Sequence, residues 1–359
     1  MRDVRGTARR TATRLGGVAA IGTAIGLALA PAAAACGGLV GENGTIQLVR
    51  TTTLAAYHDG VERYVTSFEF TGEGREVGSI VPLPDAPTSV ERGGDWTLQR
   101  LAQEVAPPPP QAARADSAGS TAAGGATVLL ETTIDALDIT ILEGGGDAVG
   151  QWAVDHGFFL TPDAPEVLDF YAARSPIFMA ARFDASRAAE LGQGAGDGTP
   201  IMLTIPTDDP WVPLRILGLG LGASQRVEAD VFLLTDDEPA LLAGGRGLTL
   251  DRSERAGASL LADLRADKGM EWVPDDLWLT YLQLDVPAAD LTYDLAISTD
   301  ASKPPRIADA GIDVAAARPV ASAAESDGWV WPLVVGVSVA VLALAALAAI
   351  GRRDPEAVS

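Results

Sequence analysis

Cysteine, histidine and basic residues are scarce in this chain, and each shortage excludes something. One cysteine, Cys36, occurs in 359 residues. No intrachain disulfide can form, so the fold must rest on its apolar core alone. Two histidines, His58 and His156, leave no His/Cys cluster at zinc spacing and few general bases. Lysine and arginine total 26 against 48 aspartates and glutamates, a net charge of −22. A surface so acidic repels polyanions, which excludes nucleic acid as a partner and leaves room for a cationic ligand. Catalytic signatures are missing as well. No Gly-x-Ser-x-Gly elbow occurs. The glycine runs Gly144 to Gly146 and Gly192 to Gly198 lack the Lys-Thr that completes a phosphate loop. The acidic pairs Asp208-Asp209, Asp236-Asp237 and Asp275-Asp276 stand beside prolines and lack calcium-loop spacing, so turn chemistry accounts for them. None of these patterns implies a cofactor.

Two hydrophobic segments, by contrast, are clear. Residues 1–35 have the three parts of an export signal: arginines 2, 5, 9, 10 and 14, an apolar run from Val18 to Ala30, then Pro31 and Ala33-Ala34-Ala35. The apolar run is too short to span a bilayer core of about 30 Å. Cleavage leaves Cys36 at the new terminus. Small residues before a cysteine also resemble a lipidation site, although Ala33 stands where leucine is preferred. Residues 329–350 carry no charge and would span about 33 Å as a helix. Trp329 and Trp331 suit one interface, and Arg352 and Arg353 mark the other side as cytoplasmic. The sequence therefore predicts a single-pass protein of the cell membrane. Its main region lies outside, and residues 351–359 form a short cytoplasmic tail. Partners follow from that placement: the cell membrane through the C-terminal helix, and an envelope protein or a cationic ligand outside.

The outer portion, 36–328, holds 19 basic and 45 acidic residues, more acidic than the whole chain. Within it, 36–297 reads as folded. An exposed Pro/Ala/Gly-rich insertion covers 105–126, and an Ala/Pro/Asp-rich stretch, 298–328, reads as a flexible stalk. His58-Asp59-Gly60 signals a hairpin between strands at Thr45–Tyr57 and Val61–Thr71. Further strands are expected at Glu76–Leu83, Thr127–Leu142, Ile177–Phe183, Ile201–Ile205, Leu214–Leu219, Arg226–Leu234, Leu277–Leu284 and Leu291–Ile297. Helices are expected at Thr97–Glu104, Asp147–His156, from Thr161-Pro162 onward, and over Ser253–Asp267. In the second of these, Val149, Trp152, Ala153 and His156 repeat at i, i+3, i+4 and i+7. Strands in runs with three or four interspersed helices make the class α+β, mainly antiparallel.

Few side chains invite chemistry. His58 sits in a turn, and His156 at a helix C-terminus, where the dipole favours it. The polar, Gly-hinged stretch from Glu91 to Trp96 mixes charge with a large aromatic, so Arg92, Asp95 and Trp96 are the binding candidates. That stretch, together with Cys36-Gly-Gly, Gly78-Ser-Ile-Val-Pro-Leu-Pro, Gln151 to Phe158 and Pro210 to Ile216, resembles the bacterial domain-of-unknown-function family 2330. The resemblance implies export and membrane anchoring, and it carries over no catalytic residue. The expected role is a non-enzymatic binding or envelope module. The alternative is an envelope hydrolase with an unrecognised site around Asp95 or His156. A deep pocket lined by His156 or by convergent carboxylates would favour the second; a flat surface would favour the first.

Overall fold

Alternation of apolar residues on both faces of most strands requires cover on both sides, and the architecture supplies it. The computed structural model describes residues 38–41, 51–67, 76–105, 126–193, 199–300, 302–312 and 321–322. In chain order these form β1 (Gly38–Gly41), β2 (Thr51–His58), β3 (Val61–Ser67), β4 (Glu76–Leu83), β5 (Ser89–Arg92) and α1 (Thr97–Val105). Next come β6 (Thr127–Ile134), β7 (Leu137–Glu143), α2 (Gly146–Asp155), α3 (Ala164–Ala172), β8 (Ile177–Asp184) and α4 (Ala185–Leu191). The rest are β9 (Pro200–Pro206), β10 (Trp211–Val212), β11 (Arg226–Thr235), β12 (Ala240–Ala243), β13 (Leu248–Arg255), α5 (Ala258–Ala266), β14 (Trp278–Pro287), β15 (Leu295–Ser298) and β16 (Ala321–Ser322).

An eight-stranded sheet runs β16-β13-β14-β11-β2-β3-β9-β5, antiparallel except where β2 meets β11 and β16 meets β13. A five-stranded antiparallel sheet runs β1-β4-β8-β7-β6, and a small one β10-β15-β12. Period two assigns the faces. Val231 and Leu233 of β11 and Met179 and Ala181 of β8 meet in the core between the two larger sheets. Phe232 and Leu234 point the other way, under α1 and α5. Phe178 and Ala180 lie under α2 and α3. The layers are thus helix, sheet, sheet, helix, and all described residues fall in one compact unit.

The class is α+β with mostly antiparallel strands, and the described residues hold five α-helices rather than three or four. The unanticipated one is the short α4, whose first turn is capped by Asp184 Oδ1 accepting from Ser186 N at 2.8 Å. Three other expectations need correction. Leu214–Leu219 is a 3₁₀ turn over Arg215–Gly218 instead of a strand. Its N–H groups are claimed by side chains: Leu214 N and Arg215 N donate to Asp294 Oδ1, and Ile216 N donates to the Tyr171 hydroxyl. The helix expected from Ser253 begins at Ala258, because Ser253, Glu254 and Arg255 pair with Thr280, Leu279 and Trp278 of β14. The helix expected at Thr161-Pro162 begins at Ala164, with Pro165 in its first turn.

The signal at 1–35, Cys36, the span at 329–350 and the tail lie outside the described residues. Among the described residues no helix is long and apolar enough to cross a membrane. Most of the 105–126 insertion also lies outside them. Of the stretch expected to be a stalk, 302–312 is described: Ala310 is buried, its carbonyl accepts from Asp294 N at 3.0 Å, and Ile312 packs on the inter-sheet core.

Candidate functional site: a pocket under the end of α2

α2 carries its apolar stripe onto the five-stranded sheet and stops at His156. Gly157 takes the left-handed conformation, φ 81°. Gly157 N then donates to Val154 O at 3.1 Å, and Phe158 N donates to Ala153 O at 2.9 Å. This is the Schellman pairing, which turns the chain back against its own helix. The turn folds the Phe158 ring onto β4 over Gly78, where any β-carbon would overlap the ring.

The same turn fixes His156. Its ring stacks on Trp152 with centroids 3.8 Å apart and planes 15° from parallel. His156 Nδ1 lies 2.5 Å from the carbonyl oxygen of Trp152. A carbonyl only accepts, so Nδ1 carries the hydrogen, and the neutral ring keeps its lone pair on Nε2. Trp152 is 4% and His156 5% exposed. Among the described residues, neither Trp152 Nε1, a donor, nor His156 Nε2 has a hydrogen-bond partner.

Three strands supply the floor. Register places Thr133 of β6, Asp138 of β7 and Arg182 of β8 side by side, with Glu131, Thr140 and Ala180 in the next row. Asp138 Oδ1 accepts from the Thr133 hydroxyl at 3.0 Å and from the Arg187 guanidinium of α4 at 3.0 Å. Asp138 Oδ2 is buried and unpartnered. Together with Trp152, His156 and Phe158 these residues enclose a cavity of about 340 Å³. Three residues that line this pocket thus each hold a buried polar atom without a partner among the described residues: one donor and two acceptors. An unmade hydrogen bond at a buried group costs about 1–3 kcal/mol, so such a cluster calls for an occupant. The aromatic wall and polar floor suit a small molecule with both an apolar face and hydrogen-bonding groups.

Sequence reasoning had His156 but not its surroundings. The i, i+4 spacing of Trp152 and His156 was the available signal. Asp138, Arg182 and Glu131 come together only through strand pairing. The residues singled out in Glu91–Trp96 sit elsewhere. Arg92 Nε donates to Asp95 Oδ1 at 2.9 Å, and its guanidinium also pairs with Asp135. Asp95 N and Trp96 N each donate to the buried Asp267 carboxylate at 2.9 Å, as does the Thr97 hydroxyl at 2.8 Å. Asp267, at the end of α5, therefore anchors the loop that leads into α1. Gly94 supplies the left-handed turn that lets the loop wrap it, φ 77°. His58 lies between two carboxylates, 2.5 Å from Asp236 and 3.3 Å from Asp59, at an exposed hairpin tip. The remaining acidic turns hold arginines: Asp209 pairs with Arg306, Asp237 with Arg255 and Asp275 with Arg265.

A family described as an uncharacterized protein conserved in bacteria, DUF2330, matches residues 30–236, which include every residue lining the pocket. No curated protein matches the chain by sequence. Among solved structures, that of baculovirus P35 is similar with a TM-score of 0.39 and 10% identity, over 71% of this chain and 97% of that one. A chain of the caspase-8/P35 complex gives 0.32 and 8%, over 69% and 92%. Similarity at this level carries no argument about function.

Proposed function

We propose, from the premise that this chain belongs to the DUF2330 family of proteins conserved in bacteria, that it is an extracytoplasmic ligand-binding module tethered to the cell membrane. The signal at 1–35 exports it, the span at 329–350 holds it, and the C-terminus stays in the cytoplasm. The observation that carries the binding role is a pocket of which three lining residues, Trp152, His156 and Asp138, each hold a buried polar atom without a partner among the described residues. Their complement is an uncharged small molecule whose hydroxyl or amide groups both donate and accept. A cavity of about 340 Å³ holds one such molecule. The acidic exterior repels polyanions and leaves a neutral ligand free to approach.

A hydrolytic role is the second reading, favoured by the pocket that His156 lines and by the hydrogen bond that orients its ring with Nε2 able to take a proton. The lining contains no serine or cysteine among the described residues, so any such reaction there would use His156 or Asp138 to activate water.

Saturation-transfer NMR tests the proposal on the full chain in a neutral detergent, with glucose, N-acetylglucosamine, acetamide and methyl acetate as probes. At least one probe is expected to receive saturation, and Thr140→Phe, which fills the cavity, should abolish it. Absence of transfer to every probe, or transfer unchanged by Thr140→Phe, would sink the binding site. Conversion of methyl acetate to acetic acid, lost in His156→Gln, would put the hydrolytic reading in its place.

A further inference from the structure

We propose that a second cleft, between the β3–β9–β5 edge of the large sheet and the turn after α5, binds a small soluble anion through carboxylate or phosphate oxygens. The cleft is about 560 Å³ and lies on the outer face of the sheet, where the α1/α5 layer stops. Register sets Arg63 of β3 beside Thr204 of β9, and Met202 of β9 beside Glu91 of β5. The opposite wall is the turn carrying Lys268, Gly269, Glu271 and Trp272. Gly269 is obligatory there. Its φ is 82°, and a β-carbon would stand 2.7 Å from the carbonyl oxygen of Arg92. That close approach brings Lys268 and Trp272 across from Arg63.

The cleft holds cationic side chains that no carboxylate reaches within ion-pair distance among the described residues. Many arginines of this acidic surface are held by carboxylates, as Arg100 is by Glu104 and Asp263. Arg63 makes no ion pair within 4 Å among the described residues, although Asp59 attracts it from farther off; its guanidinium lies 4.6 Å over the Trp272 ring. The exposed Lys268 ammonium makes none among them either. Trp272 Nε1 is buried without an acceptor. The two carboxylates of the lining keep their charge but turn an oxygen to local donors: Glu91 accepts from the Ser89 hydroxyl at 3.0 Å, and Glu271 from Gly269 N at 3.3 Å. Arg92 also lines the cleft, but Asp95 and Asp135 neutralise it. What remains without a protein acceptor among the described residues is a guanidinium and a buried indole N–H, with an exposed ammonium beside them, all donors. An oxyanion is the chemistry that meets them together, through charge-assisted hydrogen bonds. Burial also lowers the Arg63 pKa, the cost of a desolvated cation that a bound anion would offset.

The cleft is separate from the Trp152–His156 pocket, so either can fail alone. Calorimetric titration of the full chain in neutral detergent, with inorganic phosphate and with citrate as probes, tests it. Saturable binding of at least one is expected. Arg63→Gln and Lys268→Gln should each weaken it tenfold or more, while Lys303→Gln, at a distant exposed ion pair, and Thr140→Phe should leave it unchanged. Lys268 is exposed, so its variant reports on binding rather than folding. The proposal is overturned if neither probe binds, if Lys268→Gln binds like the wild type, or if Lys303→Gln loses binding equally.

Discussion

Replacing Asp294 by alanine should destabilise the protein by about 3–5 kcal/mol, the usual consequence of stripping one partner from a buried ion pair. Asp294 is 0% exposed. Its carboxylate pairs with Arg174 and accepts from the Tyr171 hydroxyl at 2.8 Å, Leu214 N at 2.6 Å and Arg215 N at 2.9 Å. The Arg174 guanidinium is packed among the rings of Phe170, Tyr171 and Trp211 and also donates to Asp309 O. Alanine would leave that cation buried without its counter-charge and orphan two backbone N–H groups. The consequences spread beyond one contact. The carboxylate joins α3 to the 3₁₀ turn over Arg215–Gly218, and its partner Arg174 reaches the 306–312 segment through Asp309 O; α3 in turn supports α2. Gly146 of α2 lies so close to Asp169 of α3 that no β-carbon fits between them. Tyr171→Phe, which removes only a hydroxyl, should cost less, about 1–2 kcal/mol. Urea unfolding of both variants measures the ranking. Equal losses, or an Asp294→Ala variant as stable as the wild type, would contradict it.

Stability should also fall as pH rises from acid to mildly alkaline values, and one side chain should carry most of that fall. Glu62 of β3 is 0% exposed, neither of its carboxyl oxygens has a partner among the described residues, and burial pushes its pKa up to about 8. Its flanking neighbours on the sheet are Tyr57 and Ile205, which offer no positive charge. In the unfolded chain the group titrates near 4.5. Between those values the folded state holds a proton that the unfolded state has released. The contribution is therefore complete below about pH 4.5 and is lost as pH climbs through about 8. The span corresponds to roughly 5 kcal/mol. Glu62→Gln keeps the shape and removes the proton. It should match the wild type at pH 4 and exceed it by several kcal/mol at pH 8.5, as measured by urea midpoints across the range. Parallel curves for the two proteins would refute the assignment.

How much of this was legible depends on whether the determining contacts are local. The β2–β3 hairpin was readable because Asp59 and Gly60 both take positive φ, at 52° and 73°, and that residue pair suits such a turn. α2 was readable from its 3.6-residue stripe and from Gly157. Leu214–Leu219 misled because its apolar run is buried, yet its backbone is bent by Asp294, 80 residues away. Ser253–Arg255 misled because helix propensity yields to pairing with β14. Nothing local marks Glu62 or Asp294 as buried, since an acid in a strand is ordinarily placed facing water. For the pocket, the alternation of Asp138 and Thr140 against Leu137, Ile139 and Ile141 was visible. That the polar face lies beneath a helix end, and not in solvent, was not.

The central claim is that His156 offers its Nε2 lone pair to an occupant of the pocket. With only two histidines in the chain, ¹⁵N-imidazole NMR of the full-length protein reads it directly, and His58→Gln assigns the two rings. The account predicts that neutral His156 carries its hydrogen on Nδ1, and that its Nε2 resonance moves when a probe accepted by the pocket is added, in the wild type but not in Thr140→Phe. A hydrogen on Nε2, or an Nε2 resonance that stays in place at saturating probe, would contradict it.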